Sequence, residues 1–171
     1  MLKAFAEVLG LPCWGVKKGQ GSCLTLEFGE PHLLIREPVQ ANSRFPRIRR
    51  LMGRRHVYVA GSWFLWVWAC NWSVRTGGKL IGDSSTPRRA ARAARELDGQ
   101  KLVGIILAKR GARTRFLFDL GSVLETTPYS RMGEQWMLYT PKKRVLVFRG
   151  DRRYSIQRSD RPEPKGPWKA A

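Results

Sequence analysis

VYVAGSWFLWVWACNW, residues 57–72, holds four of the chain's seven tryptophans, and how it is read decides how the rest is read. From Val57 to Cys70 it runs 14 residues and contains Gly61 and Ser62, whereas a membrane-spanning helix needs about 20 consecutive apolar residues. It is too short to cross a bilayer as a helix. Its β-branched and aromatic content predicts a strand, with Trp63, Leu65 and Val67 on one face and Phe64, Trp66 and Trp68 on the other. Both faces are apolar. Such a strand is either covered on both sides, or covered on one and left with an aromatic face for a ligand.

Working outward, the chain matches itself. KKGQGSCLTLEFG (17–29) aligns without a gap to KRGARTRFLFDLG (109–121), with Lys17/Lys109, Gly19/Gly111 and Gly29/Gly121 identical. HLLIREP and SVLETTP follow, then GSWFLWV and GEQWMLY, so the order of elements recurs. This predicts an α+β chain, mainly antiparallel β, of two pseudo-repeated β-rich halves that cover each other's apolar faces. By this reading the strand that opens the section is the spine between packed halves. The first half spans 1–85 and begins with a short amphipathic helix, Leu2 to Leu9; the second spans 99–158, and together they form one compact domain. Glu7 and Pro12 do not suit a signal peptide.

Residues 86–98 link the halves as a helix: Thr86 caps it, Pro87 starts it, and Ala90, Ala93, Ala94 and Leu97 form an apolar stripe. Its other side carries Arg88, Arg89, Arg92 and Arg95. Arginine in the first turn opposes the helix dipole, so Arg88 and Arg89 cost some folding free energy and point to a partner. RVLVFRGDRRYSIQR reads as a hairpin turning at Gly150 and Asp151. Residues 159–171, with three prolines and no periodicity, read as a mobile tail.

The charge is one-sided. Against 13 acids stand 32 lysines and arginines, a net +19, and residues 1–43 are balanced, so the excess lies downstream. Such an excess excludes little but favours polyanions. Its densest part is SRFPRIRRLMGRRHVY, where Arg44, Arg47, Arg49, Arg50, Arg54 and Arg55 fall within 12 residues without an acid. Arginine's planar fork grips phosphate bidentately and stacks on bases. The linking helix is a second cluster. Arg110 and Arg113, within 109–115, belong to a third, and Lys142, Lys143, Arg152 and Arg153 to a fourth. If the four share a surface, it would bind phosphates. Of the aromatics, Trp72, between Asn71 and Ser73, is the candidate for exposure and base stacking.

Catalytic signals are sparse. Cys13, Cys23 and Cys70 are odd in number and lie in apolar surroundings, which fits reduced core thiols of a cytoplasmic protein and not nucleophiles. TGGKL is no phosphate loop, two histidines without a tight cysteine pair make no zinc site, and no cofactor is implied. Glu27 and Asp119, equivalent under the repeat, would be a metal or acid/base pair only if they met; the plainer expectation is that each bonds a turn amide or a basic neighbour.

LTLEFG (24–29) and FDLG (118–121) resemble motifs of small β-rich bacterial proteins of unknown function, some of immunity or accessory type. The resemblance covers those motifs alone and assigns no site. Immunity against a basic nuclease would also call for an acidic surface, the opposite of this one. The expected function is non-catalytic binding of RNA, DNA or a nucleoprotein complex, without membrane insertion. A protein-interaction module for an acidic protein partner is the alternative, and a metal-dependent nuclease a further one.

Overall fold

The computed structural model describes residues 2–108, 111–160 and 167–171. In chain order its elements are β1 (Cys13–Lys18), β2 (Leu24–Phe28), β3 (His32–Arg36), α1 (Pro46–Met52), β4 (His56–Ala60), β5 (Trp63–Val67), β6 (Cys70–Thr76), β7 (Lys79–Asp83), α2 (Pro87–Leu97), β8 (Leu102–Leu107), β9 (Thr114–Phe118), β10 (Ser122–Pro128), β11 (Glu134–Thr140), β12 (Arg144–Arg149), β13 (Arg153–Arg158) and β14 (Lys169–Ala170). The fold is mainly antiparallel β. A seven-stranded sheet runs β1-β2-β5-β11-β12-β13-β14, a five-stranded sheet runs β7-β6-β10-β9-β8, and β3 and β4 form a ribbon of their own.

The opening strand behaves as alternation dictates: Trp63, Leu65 and Val67 are buried, while Phe64 and Trp66 are half-buried. It is central, paired to β2 through Leu26↔Leu65 and to β11 through Leu138↔Leu65. After Trp68, Ala69 turns left-handed (φ 47°), and the chain passes into β6 of the other sheet. There Cys70, Trp72 and Val74 face inward. Both inner faces meet in one core with Phe116, Leu124, Trp136 and Phe148, as two sheets packed face to face require.

This arrangement interleaves the two sequence halves instead of stacking them. Each sheet takes strands from both, because β5 pairs with β11 and β6 with β10. The segments matched in sequence fall in and around the β1–β2 and β8–β9 hairpins, on different sheets. Their surroundings differ: β10 returns beside β9, whereas β3 leaves the sheet and β5 takes the place beside β2.

Helix α2 forms as its sequence predicts. The Thr86 Oγ1 accepts from the Arg89 N–H, and Ala90, Ala93, Ala94 and Leu97 are buried against β7 and β1. The contact at β7 is backbone to backbone. A Cβ on Gly82 would stand 2.1 Å from the Arg89 carbonyl oxygen and 3.1 Å from the Ala93 Cβ. Gly82→Ala therefore forces helix and strand apart. It should cost about 3 kcal/mol and lower Tm by roughly 10 °C in a circular-dichroism melt. An unchanged Tm would mean that helix and strand do not touch there.

Two expectations are corrected at the termini. The predicted helix over 2–9 is a short 3-10 turn, Leu2–Phe5, followed by turns. Gly10 (φ 86°) ends the segment, and it anchors through Phe5 and Val8, both buried in the core. At the other end, residues 161–166 of the expected tail lie outside the described residues, and its last residues are held. Lys169–Ala170 pairs with β13 as β14, and the Trp168 ring lies 3.9 Å from the Arg149 guanidinium carbon.

Candidate nucleic-acid interface

Between β2 and β5 the chain leaves the sandwich as an arm. Ribbon strands β3 and β4 pair from His32↔Ala60 to Arg36↔His56, and their substantial packing is with each other. Leu33, Ile35, Val57 and Val59 share one ribbon face, each at least 53% exposed. Such residues have the pattern of an ordinary half-buried strand; here no layer of the described residues covers them.

At the far end of the ribbon sits α1, which has no buried residue. Pro46 starts it, the Val39 N–H donates to the Met52 carbonyl (2.8 Å), and the His56 ring bonds the Leu51 carbonyl. Arg44, Arg47, Arg49, Arg50, Arg54 and Arg55 surround it. Only Arg55 has an ion-pair partner among the described residues, Glu37 at 2.8 Å. Arg49 donates to the Ser43 carbonyl and Arg44 lies over the Phe45 ring. A seven-residue helix without a side-chain cap is marginal by itself, and Arg47 beside Arg50 at i, i+3 adds repulsion. A bound polyanion would relieve both.

The other basic clusters sit on other elements. On α2, Arg88, Arg89, Arg92 and Arg95 line an open groove of about 400 Å³ floored by Leu80 and Ile81; Arg89 is tied to Asp83 (2.8 Å). Arg113 and Arg115 both meet Glu125 (3.8 and 2.6 Å), and Arg110 lies outside the described residues. The fourth cluster is split by the length of β12. Lys142 and Lys143 stand at one end, with Lys142 on Glu7, and Arg152 stands in the turn at the other beside Arg153, the first residue of β13, which lies near Asp151. At about 3.4 Å per residue, those two turns lie more than 15 Å apart. The fourth cluster is thus two separate patches, and the compensated cations read as surface ion pairs contributing about 0–1 kcal/mol each.

Trp72 does not stack bases. It is 3% exposed, and its indole N–H donates to the Ser22 carbonyl. Polar Asn71 and Ser73 point the other way on the strand, so they expose themselves and not the tryptophan. The second face of β5, expected to carry Phe64, Trp66 and Trp68, is the outer side of the large sheet, and β11 extends it. Phe64 is opposite Tyr139, and Trp66 opposite Met137. Trp68 is 39% exposed and edge-on to Trp66 at 4.9 Å.

Glu27 and Asp119 do not meet; they serve separate sheets. The Glu27 Oε2 accepts from the Gly61 N–H (3.0 Å) and the Asp119 Oδ1 from the Lys101 N–H (2.8 Å). Burial pushes the Glu27 carboxyl above the usual range, partly offset by that amide and by Lys17 and His32. Among the described residues no three histidine, cysteine or acidic side chains are grouped to hold a metal, and no helix is long and apolar enough to cross a membrane.

All three cysteines are buried and free. Burial pushes Cys13 and Cys70 up to about 12, with Asp98 adding to the rise at Cys13 and Cys23 at Cys70. An unfolded thiol loses its proton near pH 9, so only the unfolded state gains from rising pH. The stability present at neutral pH should therefore fall between pH 9 and 12, by up to about tenfold in the folding constant per pH unit per thiol. Urea midpoints measured across that range check this, with Cys70→Val giving a shallower decline.

No protein-family model, curated protein or solved structure matches the chain.

Proposed function

We propose that the protein binds nucleic acid, or a nucleoprotein complex, without catalysing a reaction on it, and that the arm's tip meets the phosphates. The supporting observation is the arginine tip: six arginines around an exposed helix on a projecting ribbon, with one ion pair to them among the described residues. Uncompensated guanidinium groups held away from the protein body suit a ligand that presents many phosphates, and their exposure lets counterion release drive binding. The α2 groove is a second phosphate-binding candidate. Reduced core thiols suit a cytoplasmic setting.

Anisotropy titrations of labelled single- and double-stranded RNA and DNA at about 50 and about 200 mM salt test this. Binding at low salt that weakens steeply at high salt is expected; no binding at low salt overturns the proposal.

One observation favours a second reading, a module for an acidic protein partner. The aliphatic ribbon face of Leu33, Ile35, Val57 and Val59 offers nothing to a phosphate, yet exposed apolar patches mark contact sites. Capture of a partner that survives nuclease treatment and is lost with Leu33→Asp and Val59→Asp would favour it.

A further inference from the structure

We propose that the outer face of the seven-stranded sheet is a stacking platform for unpaired bases, so that the ligand is a single strand, with Phe64, Trp66, Trp68 and Tyr139 as its rings. This rests on the polyanion reading above and names its substrate class.

Register places the rings. Cross-strand partners share a face, so Trp14 (opposite Glu27), Phe64 (opposite Glu27 and Tyr139) and Trp66 (opposite Thr25 and Met137) all lie on the side away from the core. Their strand neighbours Trp63, Leu65, Val67, Trp136 and Leu138 fill the other side. The outward residues are half-buried, and Trp68 is more exposed still. Each ring already has one fixed neighbour: Trp66 and Trp68 are 4.9 Å apart, and Phe64 and Tyr139 are 5.7 Å apart and tilted by 54°. The Trp14 indole N–H is anchored on the Gly29 carbonyl. Rings held this way lose little freedom when a base stacks on them.

The adjoining cations select the occupant. The acids in the ring-bearing strands β2 and β11 are Glu27, whose carboxylate is held by the Gly61 amide, and Glu134, which adds to the burial that pushes the Tyr139 hydroxyl up. The platform adjoins the arginine arm, since β5 begins three residues after β4 ends. A chain whose phosphates reach the arm can lay its bases on the sheet. A duplex keeps its bases stacked inside and has no use for such a face; a single strand exposes a π-face on every base.

The test compares three labelled probes of about twelve nucleotides at low salt: oligothymidylate, an abasic strand with as many phosphates, and a duplex. Oligothymidylate should bind at least tenfold tighter than the abasic strand and quench tryptophan emission. Trp68→Ala, checked for native folding by circular dichroism, should lose about tenfold on oligothymidylate and nothing on the abasic strand. Trp68→Phe should recover most of that loss. Equal affinity for base-bearing and abasic strands, or tighter binding of the duplex, overturns the platform while leaving the arginine reading intact. If none of the three probes binds, the polyanion reading itself falls.

Discussion

Replacing Arg44, Arg47, Arg50 and Arg54 together by alanine should weaken nucleic-acid binding at 0.1 M salt by on the order of a thousandfold. Each phosphate contact contributes about 0.7 to the salt slope for a single strand and about 0.9 for a duplex, so four lost contacts flatten log K against log salt by roughly 3 to 4. Extrapolated to 1 M salt, variant and native protein converge; one decade below, they differ by that slope. The fold should survive, because none of the four packs in the core and α1 has no buried residue. The matching change of Arg113 and Arg115 should reduce the slope far less, since Glu125 already neutralises part of their charge. If the arm variant keeps the native slope, phosphates are met elsewhere, with the α2 groove the next place to look.

Trp136→Ala should remove about 5 kcal/mol of stability and about 15 °C of Tm. Trp136 is fully buried, stacked on Phe148 at 5.0 Å and edge-on to Phe5 and Phe116 at 5.5 and 5.7 Å. Its loss opens a cavity where the N-terminal turn and both sheets converge. The indole N–H also donates to the Thr114 hydroxyl, itself fully buried, which the variant leaves without that donor. Since domains of this size are stable by about 5–15 kcal/mol in all, much of the population should unfold at moderate temperature. Trp136→Phe should lose less than half as much. A loss under about 1 kcal/mol in urea titration would contradict the packing described.

Features governed by local chemistry were legible in the sequence. The cap, proline start and alanine stripe of α2, the turn at Gly150–Asp151 and the alternation of β5 each follow from neighbouring residues, and the turn-amide bonds of Glu27 and Asp119 match the plainer expectation. Trp72 was legible too, had parity been followed: Cys70, Trp72 and Val74 share one side of a strand, so polar neighbours at 71 and 73 argue for burial. The arm was not legible, because Leu33, Ile35, Val57 and Val59 carry an ordinary strand pattern, and only the path of the chain decides whether a second layer lies over them. Nor was the splitting of the fourth basic cluster, since proximity in sequence hid the six-residue strand between Lys143 and Arg152. The aromatic face of β5 followed from alternation, but its extension to Tyr139 needed the pairing of β5 with β11, a contact across some 70 residues that periodicity does not encode.

That same pairing sets the order in which the protein can be made. During synthesis β5 emerges with β2 available on one edge, but β11 follows about 70 residues later, a delay of several seconds at roughly 5–20 residues per second. For that time an apolar strand edge stands open on the nascent chain, ready to pair with another copy on the same message. The arm immediately before it carries seven arginines against two glutamates within residues 30–60. Their mutual repulsion keeps neighbouring nascent chains apart until β11 arrives, so the charge also acts as a gatekeeper against aggregation.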